Sequence, residues 1–286
     1  MNTEKNQEKW IEKCEEILKI GGKSDKTIVN YKSAWNRFLK YYPENTHISK
    51  LKEEDLLIYF KEKYFKKNLA SSSYNVNLCA IRFLFSVCFN KELNRTLIPS
   101  SKLKKRFPVI ISKDEFIRIF NLEKNLNHKC WLLLAFCSGL RAIDISNIKI
   151  EDINVNNHKL KTLGKGNKER FTILPDIVIK YLRLYCKERN ITYKTGYLFK
   201  GTSNREHINP RTITNYFIAI KEEFNIPKEI TEHSLRHSFA TFYLMNGGDL
   251  LTLQSMLGHT SLTCTSIYLH MAHDFNNLKG IKYDRR

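Results

Sequence analysis

Apolar side chains recur every three to four positions through most of the first hundred residues of this chain, with polar ones between them. Ile28, Tyr31, Trp35, Phe38, Leu39 and Tyr42 form one stripe; Leu56, Tyr59, Phe60 and Tyr64 form a second; Val76, Ala80, Phe83, Leu84 and Val87 form a third. Such spacing gathers the apolar groups on one face of an α-helix. It predicts three or four amphipathic helices packed as a small all-α domain. The aromatic rings belong to its core rather than to a base-stacking platform, because one-sided spacing is what a core needs.

Further along, the pattern changes. Ser112 stands three residues before Glu115, the capping-box signature of a helix start. The run WLLLAFC over 131–137 is apolar all round and predicts a buried central helix that ends at Ser138 and Gly139. Residues 158–174, HKLKTLGKGNKERFTIL, break at Gly164–Asn167 into two short β-prone arms, a hairpin signal. Helices are expected again over 176–190, 210–224, 233–246, 250–257 and 261–272, with Gly247 and Gly248 marking a turn. The fold class is mainly α, with a small β-hairpin sheet in a mixed, mostly α second half.

Composition sharpens this division. Of 286 residues, 42% are hydrophobic and 12% aromatic, enough apolar surface to exclude a disordered chain, and the length suits two domains. Pro99 and Pro108 bracket a run that carries Lys102, Lys104, Lys105 and Arg106 and no acid. We therefore divide the chain into a helical domain over 1–98, a basic interdomain linker over 99–107 and a second domain over 108–286. The linker is either a strap along a phosphate backbone or a solvated connector.

Lysine and arginine number 48 against 29 acidic residues, a formal charge of +19, of which +6 falls in 1–98 and +13 beyond. A charge of this size speaks about partners, because it attracts polyanions and releases their counterions. Nucleic acid leads, ahead of anionic lipid or a general basic bias. No apolar run of about 18 residues occurs, so no membrane partner is expected, and the polar, acidic first residues suggest a cytoplasmic protein. The seven cysteines are odd in number and contain no C-x-x-C pair, which fits buried reduced thiols.

Four clusters could act on a phosphodiester. Arg141 follows the glycine that ends the buried helix, and needs an anion, either Asp144 or a ligand. Lys165 lies between Gly164 and Gly166 at the hairpin tip, with Lys168 and Arg170 beyond it. His233 and Arg236 are helical neighbours, so a proton-transfer group and a bidentate phosphate binder share one face. His233 and His237 have the spacing of a metal pair, but Ser234 stands where a zinc-protease helix needs Glu, and no metal site is expected. Last come Leu257-Gly258-His259 and, nine residues on, Tyr268, which alone reads as a core tyrosine.

With these residues in view, the chain resembles the tyrosine recombinase (phage integrase) family, and within it the compact Xer-like members. The resemblance rests on Arg141 in SGLRAID, Lys165 in GKGNKER, His233 and Arg236 in HSLRHSFAT, His259 in LGHTSLT and Tyr268 in SIYLH. It covers nearly the whole chain, and implies an N-terminal SAM-like core-binding domain followed by a catalytic domain. Asp144 stands where many members have Glu, Cys264 where Thr is usual, and Leu269 where Thr is frequent.

The resemblance implies a site-specific recombinase that needs no cofactor and no metal. Tyr268 would attack the scissile phosphate to leave a 3′-phosphotyrosine. Arg141 and Arg236 would clamp the non-bridging oxygens, Lys165 would protonate the leaving 5′-oxygen, His233 would take the tyrosine proton, and His259 would bond the phosphate, with Asp144 in support. Lys102, Lys104, Lys105, Arg106, Lys168 and Arg170 would contact DNA. The implied partners are double-stranded DNA with a specific core site and a tetramer of this chain, or a paired second recombinase, at the nucleoid. Residues 269–286, with Phe275, Leu278 and Ile281, would dock on a neighbour or in cis. A type IB topoisomerase or a non-catalytic DNA-binding protein are the competing readings.

Overall fold

The computed structural model describes residues 2–66, 70–102, 107–164, 168–201 and 205–278, with side chains only between 6 and 272. The chain divides into two compact units, Met1–Lys105 and Arg106–Arg286.

The N-terminal unit contains helices α1 (Asn2–Ile20), α2 (Asp25–Leu39), α3 (Glu53–Phe60) and α4 (Ser71–Phe89), with a π-helical turn, Lys61–Phe65, continuing α3. Ser24 starts α2 by accepting the amide of Thr27, and Asn90 ends α4 in the left-handed region. Trp35 is wholly buried, and its indole N–H donates to the Ala80 carbonyl at 2.7 Å. Around it pack Phe38, Tyr59, Phe60 and Phe85, so the first two aromatic stripes form core as expected. The third stripe also lies largely in the core, with Ala80 and Leu84 fully buried and Phe83 and Val87 packed against it; only Val76 turns outward. The buried face of α4 runs through Tyr74, Leu78, Ile81, Leu84 and Phe85, while Val76 is 41% exposed. Tyr74 and Phe85 continue the same helical face and outweigh Val76 in apolar area.

In the C-terminal unit, Ser112 accepts the Glu115 amide at 3.1 Å and begins α5 (Lys113–Leu122), as its capping box predicts. Helix α6 (Leu126–Cys137) is the buried central element, with α8 (Asp176–Glu188) and α10 (Glu232–Met245) packed on it. It stops at Gly139, whose φ is +67°, and the Leu140 amide reaches back to the Leu134 carbonyl at 3.2 Å. This closure satisfies a terminal carbonyl and suits glycine, which has no Cβ to clash in the left-handed region. A Cβ here would also lie 2.3 Å from the Phe239 ring.

Short helix α7 (Ala142–Ser146) follows at once. The hairpin forms as β2 (Lys159–Leu163) and β3 (Glu169–Ile173), in register from Lys159↔Ile173 to Leu163↔Glu169, and β1 (Ile153–Asn154) adds an edge that the alternation had not predicted. Helices α9 (Pro210–Glu223), α11 (Leu250–Leu257) and α12 (Thr263–Leu278) complete the unit. Two expected buried thiols are instead exposed, Cys79 and Cys264, while Cys14 and Cys130 are buried. Among the described residues no helix is long and apolar enough to cross a membrane, and no cluster of metal-ligating side chains occurs.

Candidate active site

Chain geometry places Arg141 first. The Gly139 turn delivers it to the N-cap of α7, where its backbone N–H donates to Asp144 Oδ2 at 2.9 Å. Asp144 is buried, and the same oxygen accepts Arg170 Nη2 at 2.6 Å and lies 3.9 Å from Arg236 Nη1. One carboxylate therefore serves two guanidiniums and the amide that positions a third. Arg236, 3% exposed on α10, donates through Nη1 to the Gly139 carbonyl and through Nη2 to the Leu257 carbonyl. Arg141 Nη1 meets that same Leu257 oxygen at 3.4 Å.

Two guanidiniums thus converge on one carbonyl at the C-terminal end of α11. Burial, and then the charge of Arg141, pull the Arg236 pKa down to about 9; burial likewise lowers Arg141. Both remain cationic at neutral pH, so the pair concentrates positive potential on a single point. A tetrahedral anion with several oxygens answers that arrangement better than a lone carbonyl does.

Tyr268 projects from α12 into this site and is 3% exposed. Its hydroxyl lies 2.7 Å from Nδ1 of His237, which accepts the bond when its ring proton is on Nε2. Burial, then His233, Arg236 and Arg141, hold the His237 pKa down to about 4, leaving a neutral ring able to accept a proton. Burial raises Tyr268 above the usual phenol range, while Arg236 and Arg141 work the other way. His259, at the Gly258 turn that ends α11, bonds Thr265 Oγ1 through Nδ1 at 3.0 Å, and its ring stacks 6.4 Å from that of Tyr268. Its pKa is also held to about 4, by burial and then by Arg236.

Arg141, Asp144, Arg236, His259 and Tyr268 are therefore brought together. His233 is exposed on the turn before, and the histidine on the tyrosine hydroxyl is His237, one helical turn further into α10. Arg170, read from sequence as a DNA-contacting cation, lies at 6% exposure with its guanidinium on Asp144. The alternation of β3 turns it inward with Thr172, away from the hairpin surface where Lys168 is exposed. Lys102 is exposed as well. Lys165, Lys104, Lys105, Arg106 and Ile281 lie outside the described residues, as do the side chains of Phe275 and Leu278.

Glu232 escaped the sequence reading. Its buried carboxylate accepts the Ala142 amide at 2.6 Å and the Thr214 hydroxyl at 3.0 Å, tying the start of α10 to the first turn of α7 beside Arg141. The signal available was its place directly before His233, where an acidic residue suits a helix N-terminus; nothing in the pattern marked it as buried.

Residues 110–274 match the sequence model described as the phage integrase family, and residues 10–95 match its N-terminal SAM-like domain. A tyrosine recombinase of Thermosipho africanus is 33% identical over 179 residues, which span 61% of this chain and 62% of that protein. Tyrosine recombinase XerD of Oceanobacillus iheyensis is 28% identical over 267 residues, 87% of this chain and 89% of that one. Among solved structures, the XerH site-specific recombinase in a post-cleavage complex with a palindromic difH substrate superposes with a TM-score of 0.72 at 21% identity, over 89% of this chain and 79% of that one.

Proposed function

The chain belongs to the phage integrase family, and on that premise we propose that it is a site-specific DNA recombinase, cutting and rejoining duplex DNA through a tyrosine ester. The observation that carries this reading is the Tyr268 hydroxyl, 2.7 Å from a neutral His237 inside a pocket lined by Arg141 and Arg236. A buried tyrosine paired to a base, under two convergent guanidiniums, is an arrangement for attack on phosphorus.

In the reaction, Tyr268 Oη bonds to phosphorus as its proton passes to His237 Nδ1, and the P–O5′ bond breaks. The leaving 5′-oxygen takes a proton from Lys165. Arg141 and Arg236 neutralise the non-bridging oxygens, and His259 donates to one of them. Phenol, with an ordinary pKa of about 10, leaves more readily than an alcohol, so attack by a 5′-hydroxyl of a second strand reverses the ester without outside energy. His237 takes the role that the family resemblance had implied for His233. Arg170 and Asp144 hold the clamp rather than touch substrate, while Lys102 and Lys168 contact the DNA backbone along with Lys104, Lys105 and Arg106.

The partners are duplex DNA with a core site and three further copies of the chain, or a second recombinase; the place of action is the cytoplasm, at the nucleoid. Tyr268→Phe should abolish covalent capture of a nicked suicide substrate while leaving gel-shift affinity for the same DNA within about threefold. Covalent capture by the Phe variant would refute the assignment. Sequencing the strand joined to Tyr268 identifies the core site, and so separates resolution of chromosome dimers from movement of an element.

A further inference from the structure

Away from Tyr268, the C-terminal unit contains a cavity of about 570 Å³ between α6, α8, the start of α9 and residues 191–201 and 205–209. Its wall is of two kinds. On the rim stand three exposed cations, Arg189, Lys200 and Arg205, and no carboxylate lines the cavity among the described residues. Toward the floor lie Trp131, Tyr185 and Asn127.

Two floor atoms lack partners. Trp131 is 1% exposed, yet its indole N–H finds no hydrogen-bond acceptor, and Asn127 Oδ1 is a buried acceptor without a donor. The contrast with Trp35 is direct, since that buried indole is paired to the Ala80 carbonyl. Both residues line the cavity; native chains pair buried polar groups as a rule, and an unpaired donor and acceptor in a cavity wall point to a ligand that completes them. The occupant must offer an acceptor and a donor on a flat, largely apolar body, and carry negative charge at the other end. Nucleobases present acceptors and donors along the edge of an aromatic ring, and a phosphate supplies the charge.

We propose that this cavity binds a nucleotide unit, its base on the Trp131 and Asn127 floor and its phosphate among Arg189, Lys200 and Arg205. Lys200 already stands over the Tyr193 ring at 4.2 Å, which holds its ammonium at the rim. The nucleotide comes either as a free mononucleotide or as an unpaired nucleotide of a DNA strand, and the two share the same contacts. The site is separate from the Tyr268 pocket, so it does not depend on the recombinase reading.

Isothermal titration of the full chain distinguishes the sources. The four deoxynucleoside 5′-monophosphates, the matching nucleosides and inorganic phosphate form one arm. A short duplex with one extrahelical nucleotide, against its fully paired counterpart, forms the other, in the Tyr268→Phe background so that no strand is cut. At least one mononucleotide, or the duplex with the extrahelical nucleotide, should bind about tenfold or more tightly than phosphate, the nucleoside or the paired duplex. Lys200→Ala with Arg205→Ala, both exposed and safe for folding, should cost about tenfold of that affinity. Trp131→Phe should remove the preference for nucleotide over phosphate. Phosphate binding as well as the nucleotides, paired and unpaired duplexes weakening alike in the double variant, or no saturation by any probe would each overturn the proposal.

Discussion

In the N-terminal unit the largest buried side chains are Trp35, Tyr59, Phe38, Phe60 and Phe85, and Asn77 is the one buried polar side chain among its described residues. In the C-terminal unit Asp144, Arg170, Glu232 and Arg236 are all buried, and Asp144 lies against both arginines. The first arrangement needs no account beyond hydrophobic burial. The second is costly, because removing guanidiniums and carboxylates from water takes several kcal/mol per ion before pairing recovers it. Apolar residues of equal volume would be at least as stable there. The contrast separates two uses of charge: the excess of +19 is mostly surface, but Arg170 and Arg236 are held inside by one aspartate.

Removing the shared anion should have the largest effect. Asp144→Ala should destabilise the C-terminal unit by about 3–5 kcal/mol, since it leaves Arg170 and Arg236 buried without their carboxylate. Urea unfolding followed by Trp131 fluorescence should move by that amount while the transition of the N-terminal unit stays in place. A loss under about 1 kcal/mol would mean that water already reaches the pair.

Gly139→Ala comes next. It combines a φ of +67° with a Cβ 2.3 Å from Phe239, and should cost about 2–3 kcal/mol. Because Arg141 follows two residues later, strand cleavage should fall further than stability does. Thermal melts with cleavage assays on one preparation read both, and equal activity per folded molecule would uncouple the turn from the site.

Acid provides a gentler test. His237 and His259 are each held to about 4 in the fold, from an ordinary value of 6.5. Between these values the unfolded chain binds more protons than the folded one. Stability from the two rings is fully present above pH 6.5 and lost as pH falls through 4. The melting temperature of the C-terminal unit should drop across that window, and drop less in His237→Gln; an unchanged slope would show that the ring is not held neutral.

The smallest effect belongs to a local signal common to many helices. Ser112→Ala removes the oxygen that accepts the Glu115 amide and should cost about 1 kcal/mol in urea unfolding, with no change in cleavage. A change in cleavage there would mean that the contrast between scaffold and site is drawn too sharply.

What could be read from sequence follows the same division. Ser112, the apolar run at 131–137 and Gly139 act within a turn of chain, so spacing alone reveals them. Arg141, Arg236, His259 and Tyr268 were legible because their local words resemble those of a family. The partner of Tyr268 was not. His233 and His237 are four residues apart on neighbouring turns of α10, and the packing of α12 against that helix determines which ring meets the hydroxyl. Arg170 and Glu232 were missed for a related reason: charge is read as exposure by default, and only tertiary packing shows a buried ion. In α4 Val76 was the one position of the expected stripe that turned outward, since the larger area of Tyr74 and Phe85 sets the buried face.

The Leu257 carbonyl has a thermodynamic consequence. Because one backbone oxygen already restrains Arg141 and Arg236, their rotamers are chosen when the chain folds rather than when a phosphate arrives. Freezing a free arginine side chain takes about 2 kcal/mol of rotamer entropy, and that ordering is complete before any encounter. Under the proposed reading a phosphate would exchange with a carbonyl at a prearranged clamp, so the heat of association should change little when viscogens or crowding restrict side-chain motion elsewhere.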